Sequence, residues 1–171
     1  MKIICAWCNK TLTEYESPKN MVSHGICADC LRGLVGEGTV VNLRDFLDRL
    51  EFPVLVTDGS VKIQRANRMA ERAFGRLASE MENATVGFAI ECLSAQAPGE
   101  CGRSGNCAGC ALRQTIMDTN ADGQPRYGIY SENSVLTPNG SMPKRFRFST
   151  TQIGNAVILA IEEIEDLPAT S

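Results

Sequence analysis

The sequence has 171 residues, 43% of them hydrophobic and 22% charged, which is enough for one domain with a core plus a small appendage and excludes a disordered or fibrous chain. A formal net charge of -3 leaves no basic surplus to neutralise phosphates, and 6% aromatic residues supply few rings for stacking, so nucleic acid is not the expected partner. One lysine and Ile3-Ile4 precede Cys5, and the longest aliphatic run is Ala156 to Ile161, so neither a signal peptide nor a membrane span is expected and a cytoplasmic location follows.

Residues 1 to about 32 hold few large apolar side chains between Asn9, Pro18, Asn20 and Gly25, too few for a core at that size, so a staple is required. Gly33, Gly36 and Gly38 then read as a flexible joint or a frayed helix start. Leu43, Phe46, Leu47 and Leu50 fall at i, i+3, i+4 and i+7, which predicts a short amphipathic helix ended by Pro53. Strands are expected at Val54 to Thr57 and Val61 to Ala66, joined through Asp58-Gly59-Ser60. Asn67 stands as the N-cap of a helix with Met69, Ala70, Ala73 and Phe74 on one face, and Gly75 stops it. Residues 76 to 106 are poorly periodic. A second helix is expected from about Ala108 to Thr119, with its exit at Asn120 to Gly123, followed by strands at Arg126 to Leu136, Lys144 to Gln152 and Ala156 to Ile164, and a frayed tail from Asp166.

Cysteine dominates the chemistry. All eight cysteines fall into two sets of four, more than sixty residues apart, and in a reducing compartment spaced thiols hold metal more often than they form disulfides. Cys5, Cys8, Cys27 and Cys30 form two Cys-x2-Cys pairs, the spacing of a structural zinc site with no open position for catalysis. Zinc is the expected cofactor there, and its binding is expected to supply the folding energy of the segment. Lys10, Lys19 and backbone amides are candidates to offset the charge of four thiolates, and His24, the only histidine, is either an alternative ligand or, in preference, a supporting or turn residue.

Cys92, Cys101, Cys107 and Cys110 are spaced Cys-x8-Cys-x5-Cys-x2-Cys in a stretch containing Gly99, Gly102 and Gly105, with the last two at the start of the predicted helix. The expectation is one shared centre, with zinc placed ahead of an iron–sulfur cluster. Reduced thiols in a mobile loop and a reversible disulfide pair are the alternatives.

The pairs Cys5-Ala6-Trp7-Cys8 and Cys27-Ala28-Asp29-Cys30 resemble a short cysteine module found beside signalling domains in bacteria. Phe52-Pro53-Val54-Leu55-Val56-Thr57-Asp58-Gly59, then Gln64 to Gly75 with its Asn cap and Phe-Gly ending, resembles a PAS domain. The resemblance implies an α+β fold, a five-stranded antiparallel sheet with helices on one face, that senses a ligand, a redox change or a partner. It further implies homodimers formed through the helix before the first strand. The cysteine stretch running into a Leu-Arg helix is similar to one in a subset of bacterial PAS proteins.

The expected organisation is therefore a four-cysteine zinc knuckle at 1–34, a linker with an amphipathic helix at 35–51, a PAS-like sensor domain at 52–165 and a tail at 166–171. The expected function is non-catalytic sensing, since no phosphate loop, nucleophile–base pair or open metal site is evident. With seven residues after Ile164, output is expected to pass to a partner signalling protein, a histidine kinase or a regulator. Two alternatives stand beside it: a redox or metal sensor using the second cysteine set, and a zinc-ribbon transcription regulator.

Overall fold

The computed structural model describes residues 2–6, 8–14, 22–30, 43–96 and 100–168. The expected glycine joint at Gly33, Gly36 and Gly38, together with Lys19, Gly99 and the last three residues of the tail, lies outside the described residues.

Between the first cysteines there are strands as well as turns. β1 (Lys2–Cys5), β2 (Thr11–Glu14) and β3 (Val22–Gly25) form a small sheet in the order β2-β1-β3, with β2 antiparallel and β3 parallel to β1. Four-residue strands carry little periodic signal, and Ile3 and Cys5 are the buried side chains of β1. Asn9, in the left-handed region at φ 59°, closes the turn after Cys8, with the Cys5 N–H on Lys10 O and the Asn9 N–H on Cys5 O.

The larger unit is a five-stranded antiparallel sheet of β4 (Val54–Thr57), β5 (Ile63–Ala66), β6 (Arg126–Thr137), β7 (Gly140–Ile153) and β8 (Ala156–Asp166), in the order β5-β4-β8-β7-β6. This is the PAS-like sheet that the resemblance implied. The last three strands stand where turn chemistry at Pro138-Asn139-Gly140 and Gly154-Asn155 places them, each longer than expected by one to five residues. β5 begins two residues late, because Val61 takes a positive φ of 64° and Lys62 pairs with Thr85 instead of β4.

Side chains alternate across the sheet, so β4 sends Leu55 to one face and Val54 and Val56 to the other. The first face carries the main core with Ile63, Phe146, Phe148, Leu159 and Ile161, covered by α2 (Arg68–Phe74), α3 (Ala78–Met81), α4 (Val86–Ala89) and α5 (Ala111–Asp122). α3 and α4 occupy the segment that showed no period, since one helical turn is too short to display it. α5 is shifted three residues later than expected, after a 3₁₀ turn at Gly105–Cys107, and ends on Gly123 in the left-handed region.

The second face is covered too. α1 (Leu43–Leu47) buries Phe46 and Leu47 there, and Leu50, Val54, Val56, Ile158 and Ile26 of the cysteine module join the same cluster. The module thus rests on the sheet, with β3 against β8. The apolar stripe that suggested pairing between chains is used on the chain's own sheet, and of its four members Leu43 is the exposed one.

Asn67 joins these elements. Its Oδ1 accepts from the N–H groups of Ala70 and Val54, and its Nδ2 donates to the carbonyls of Leu47 and Phe52, all at 2.9–3.0 Å. The N-cap therefore also anchors α1 to the first strand of the large sheet.

Candidate functional site

The first cysteine set is brought together by the small sheet. Cys5 ends β1, Cys8 sits in the turn beyond it, Cys27 precedes the helical residues 28–30 that follow β3, and Cys30 lies among them. All four sulfurs lie within 4.8 Å of one another, and no other group of three or more metal-ligating side chains does so among the described residues. The Cys8 and Cys27 sulfurs are 3.8 Å apart. Thiolates about 2.3 Å from a single zinc form a tetrahedron with edges of about 3.8 Å, so this set is dimensioned for one small ion. Backbone amides support it, with the Cys27 N–H on Cys5 Sγ at 3.4 Å and the Cys30 N–H on Cys27 Sγ at 3.3 Å. Burial, followed by hydrogen bonding with Cys27, Cys8 and Cys5, pushes the Cys30 thiol well up. Four thiols this close cannot all ionise without a cation among them.

The Lys10 ammonium, a candidate to offset the thiolate charge, stands 3.5 Å from Asp29 at an exposed site. His24 lies in β3 with its backbone opposite Ile4, not in a turn.

The second set is assembled from farther apart. Residues 91–93 attach to the free edge of β6: the Leu136 N–H donates to Glu91 O, the Leu93 N–H donates to Ser134 O, and Cys92 bridges Val135. The Cys92 N–H also bonds the carbonyl of Gly87, the second residue of α4. Cys107 closes the 3₁₀ turn, and Cys110 is the N-cap residue of α5. Cys92, Cys101, Cys107 and Cys110 all line one cavity of about 260 Å³ on the helix-covered side of the sheet, and all eight cysteines are free thiols. Val61, Val86, Ile90, Leu112 and Ile116 make the apolar wall, and Arg113, Asn133 and Ser134 are among its polar groups.

Two glycines permit the approach. A Cβ on Gly87 would lie 3.0 Å from Cys101 Sγ and 2.9 Å from Ala95 Cβ, and one on Gly102, at φ 92°, would lie 2.7 Å from Arg113 Nε. Burial pushes the Cys92 and Cys101 thiols up, and the neighbouring thiols push them further in the same direction. The Asn133 Nδ2 donates to Cys110 Sγ at 3.6 Å. The Arg113 Nε is buried without a hydrogen-bond partner.

Sequence reasoning named the eight cysteines as candidates and did not name Gly87, Asn133 and Arg113, which stand beside the second set. Asn133 sits in a strand with ordinary alternation, so no local signal marks it; Arg113, three residues after Cys110, was within reach of the helical spacing.

No family model matches the chain, and no curated protein does. Solved structures with similar coordinates include the PAS domain of a Desulfitobacterium hafniense protein, at 18% identity over 72% of this chain and 99% of that one with a TM-score of 0.42. A domain of a sensory box sensor histidine kinase/response regulator from Geobacter sulfurreducens is similar at 17% identity, 71% and 90% coverage and a TM-score of 0.47. The photoactive yellow protein domain of the sensor histidine kinase Ppr from Rhodospirillum centenum is similar at 14% identity, 77% and 99% coverage and a TM-score of 0.47.

Proposed function

We propose that this chain is a non-catalytic signal sensor in which the PAS-like domain reads the state of the four-thiol cavity and passes it to a partner signalling protein, a histidine kinase or a regulator. The observation that carries the proposal is the convergence of Cys92, Cys101, Cys107 and Cys110 on one cavity inside the helix-covered face of the sheet. Such a cavity places reactive groups against Val61, Ile90, Leu112 and Ile116, which also belong to, or border, the main core. A change at the thiols therefore acts on packing, and close-packed interiors transmit displacement instead of absorbing it. The reducing cytoplasm suits eight thiols with no disulfide.

In the same proposal the module at 1–34 holds a structural zinc at Cys5, Cys8, Cys27 and Cys30. It is supported by sulfurs at single-ion spacing and by Ile26, which fixes the module to the sheet's second face. The redox or metal-sensor alternative merges with the sensor reading here, because the sensing cavity is itself the second cysteine set.

Amide hydrogen exchange on zinc-loaded protein tests the sensor reading, with the cavity thiols free or blocked by a thiol reagent. The expected result is altered protection in β7, β8 and the module beyond the sheet. Changes confined to residues 87–113 would leave the cavity without a route to a partner and contradict the reading.

A further inference from the structure

We infer that the cavity ringed by Cys92, Cys101, Cys107 and Cys110 is an iron–sulfur cluster site bound by these four thiolates, and not a second zinc site. The inference deepens the sensor reading by naming what the sensing cavity holds.

Three features of the structure carry it. The first is scale. The N-terminal sulfurs fall within 4.8 Å of one another, as one ion of about 2.3 Å bond length demands, whereas the second set does not meet that limit and surrounds about 260 Å³ of space. A single ion of that bond length could not reach four sulfurs set this far apart and would occupy only a small part of the space. A cluster with several metal atoms and inorganic sulfides fills it and holds its terminal thiolates farther apart.

The second is lining. Val61, Val86, Ile90, Leu112 and Ile116 exclude water from one side of the cavity, and limited solvent access is one of the protein's means of stabilising a cluster and setting its potential.

The third is an orphan donor. The Arg113 Nε–H is buried, lines the same cavity and has no hydrogen-bond partner, a costly state for a guanidinium. A cluster held by four thiolates brings net negative charge and acceptor sulfurs to this donor. The Asn133 Nδ2 already donates to Cys110 Sγ at 3.6 Å, the kind of N–H to sulfur bond that tunes a cluster.

The test uses the full chain, expressed in iron-replete anaerobic culture and purified without air, with zinc, iron and acid-labile sulfide measured together. The expected protein is brown, with iron and sulfide in equal amounts beside about one zinc per chain. Cys107→Ser is expected to lower iron and sulfide by about tenfold while keeping zinc, and Cys8→Ser to do the reverse. Arg113→Gln is expected to keep the cluster and lower its reduction potential, because a positive charge beside it is gone.

About two zinc ions per chain with no sulfide, or one zinc with four titratable cavity thiols, would overturn the inference. If Cys107→Ser does not fold, the wild-type metal and sulfide count decides alone. Hydrogen exchange separates this inference from the sensor reading. A cluster with exchange changes confined to the cavity wall keeps the site and removes the sensor. Zinc in the cavity with changes reaching β8 keeps the sensor and removes the cluster.

Discussion

Single residues set what each thiol site can hold. At Gly87 the backbone lies so close to Cys101 that a methyl group must displace a sulfur or Ala95. Gly87→Ala is therefore expected to weaken metal retention in the cavity several-fold while the zinc of the N-terminal module stays, which metal analysis of the purified variant measures; full retention of cavity metal would show that Cys101 is not held by this contact. Asn67 has the opposite character, a fully satisfied buried side chain with four hydrogen bonds to three separate segments. Asn67→Ala removes four hydrogen bonds, leaving the Leu47 carbonyl only its bond from the Leu50 N–H, and is expected to cost about 3 kcal/mol, read as a shift in the urea midpoint. A loss below about 1 kcal/mol would mean that water replaces those bonds.

The elements divide by how local their signals are. Asn67 and Gly75, the turns at Pro138 to Gly140 and Gly154-Asn155, and the strands they bound were legible in the sequence, since each signal sits within a few residues of the structure it specifies. The small sheet of β1 to β3 was not, because four-residue strands, with two buried side chains in β1 and none in β2, show no period. The cysteine sets were legible as sets. Their different dimensions were not, because the second depends on residues 91–93 adding to the edge of β6, a contact made across more than forty residues of chain. α1 is the element whose expected role changed, since its stripe packs under the chain's own sheet. Leu47→Glu is thus expected to destabilise the chain by about 4 kcal/mol through burial of a charge, without altering its sedimentation. A wild-type dimer at tens of micromolar that Leu47→Glu converts to a folded monomer would restore the pairing role.

In the whole molecule the sheet stands between two thiol sites, with the cavity on one face and the cysteine module on the other. Ile26, one residue before Cys27, is buried with Leu47, Val54, Val56 and Ile158, so the zinc proposed for the module would, by ordering it, also cover part of the sheet. Removing it by Cys8→Ser is expected to expose this face and lower the melting temperature by about 5 °C, since burial of one such side chain is worth about 2 kcal/mol. An unchanged melting temperature in the zinc-free variant would show that the module folds without effect on the sheet. The central claim is that one chain carries two thiol sites of different kind, a structural one sized for a single ion and a sensing one sized for a cluster. Native mass spectrometry of the anaerobically purified chain reads both at once. The predicted mass is that of the polypeptide with one zinc and one iron–sulfur cluster, the cluster being lost in air while the zinc remains; a mass corresponding to two zinc ions, or to the polypeptide with one zinc alone before exposure to air, would contradict it.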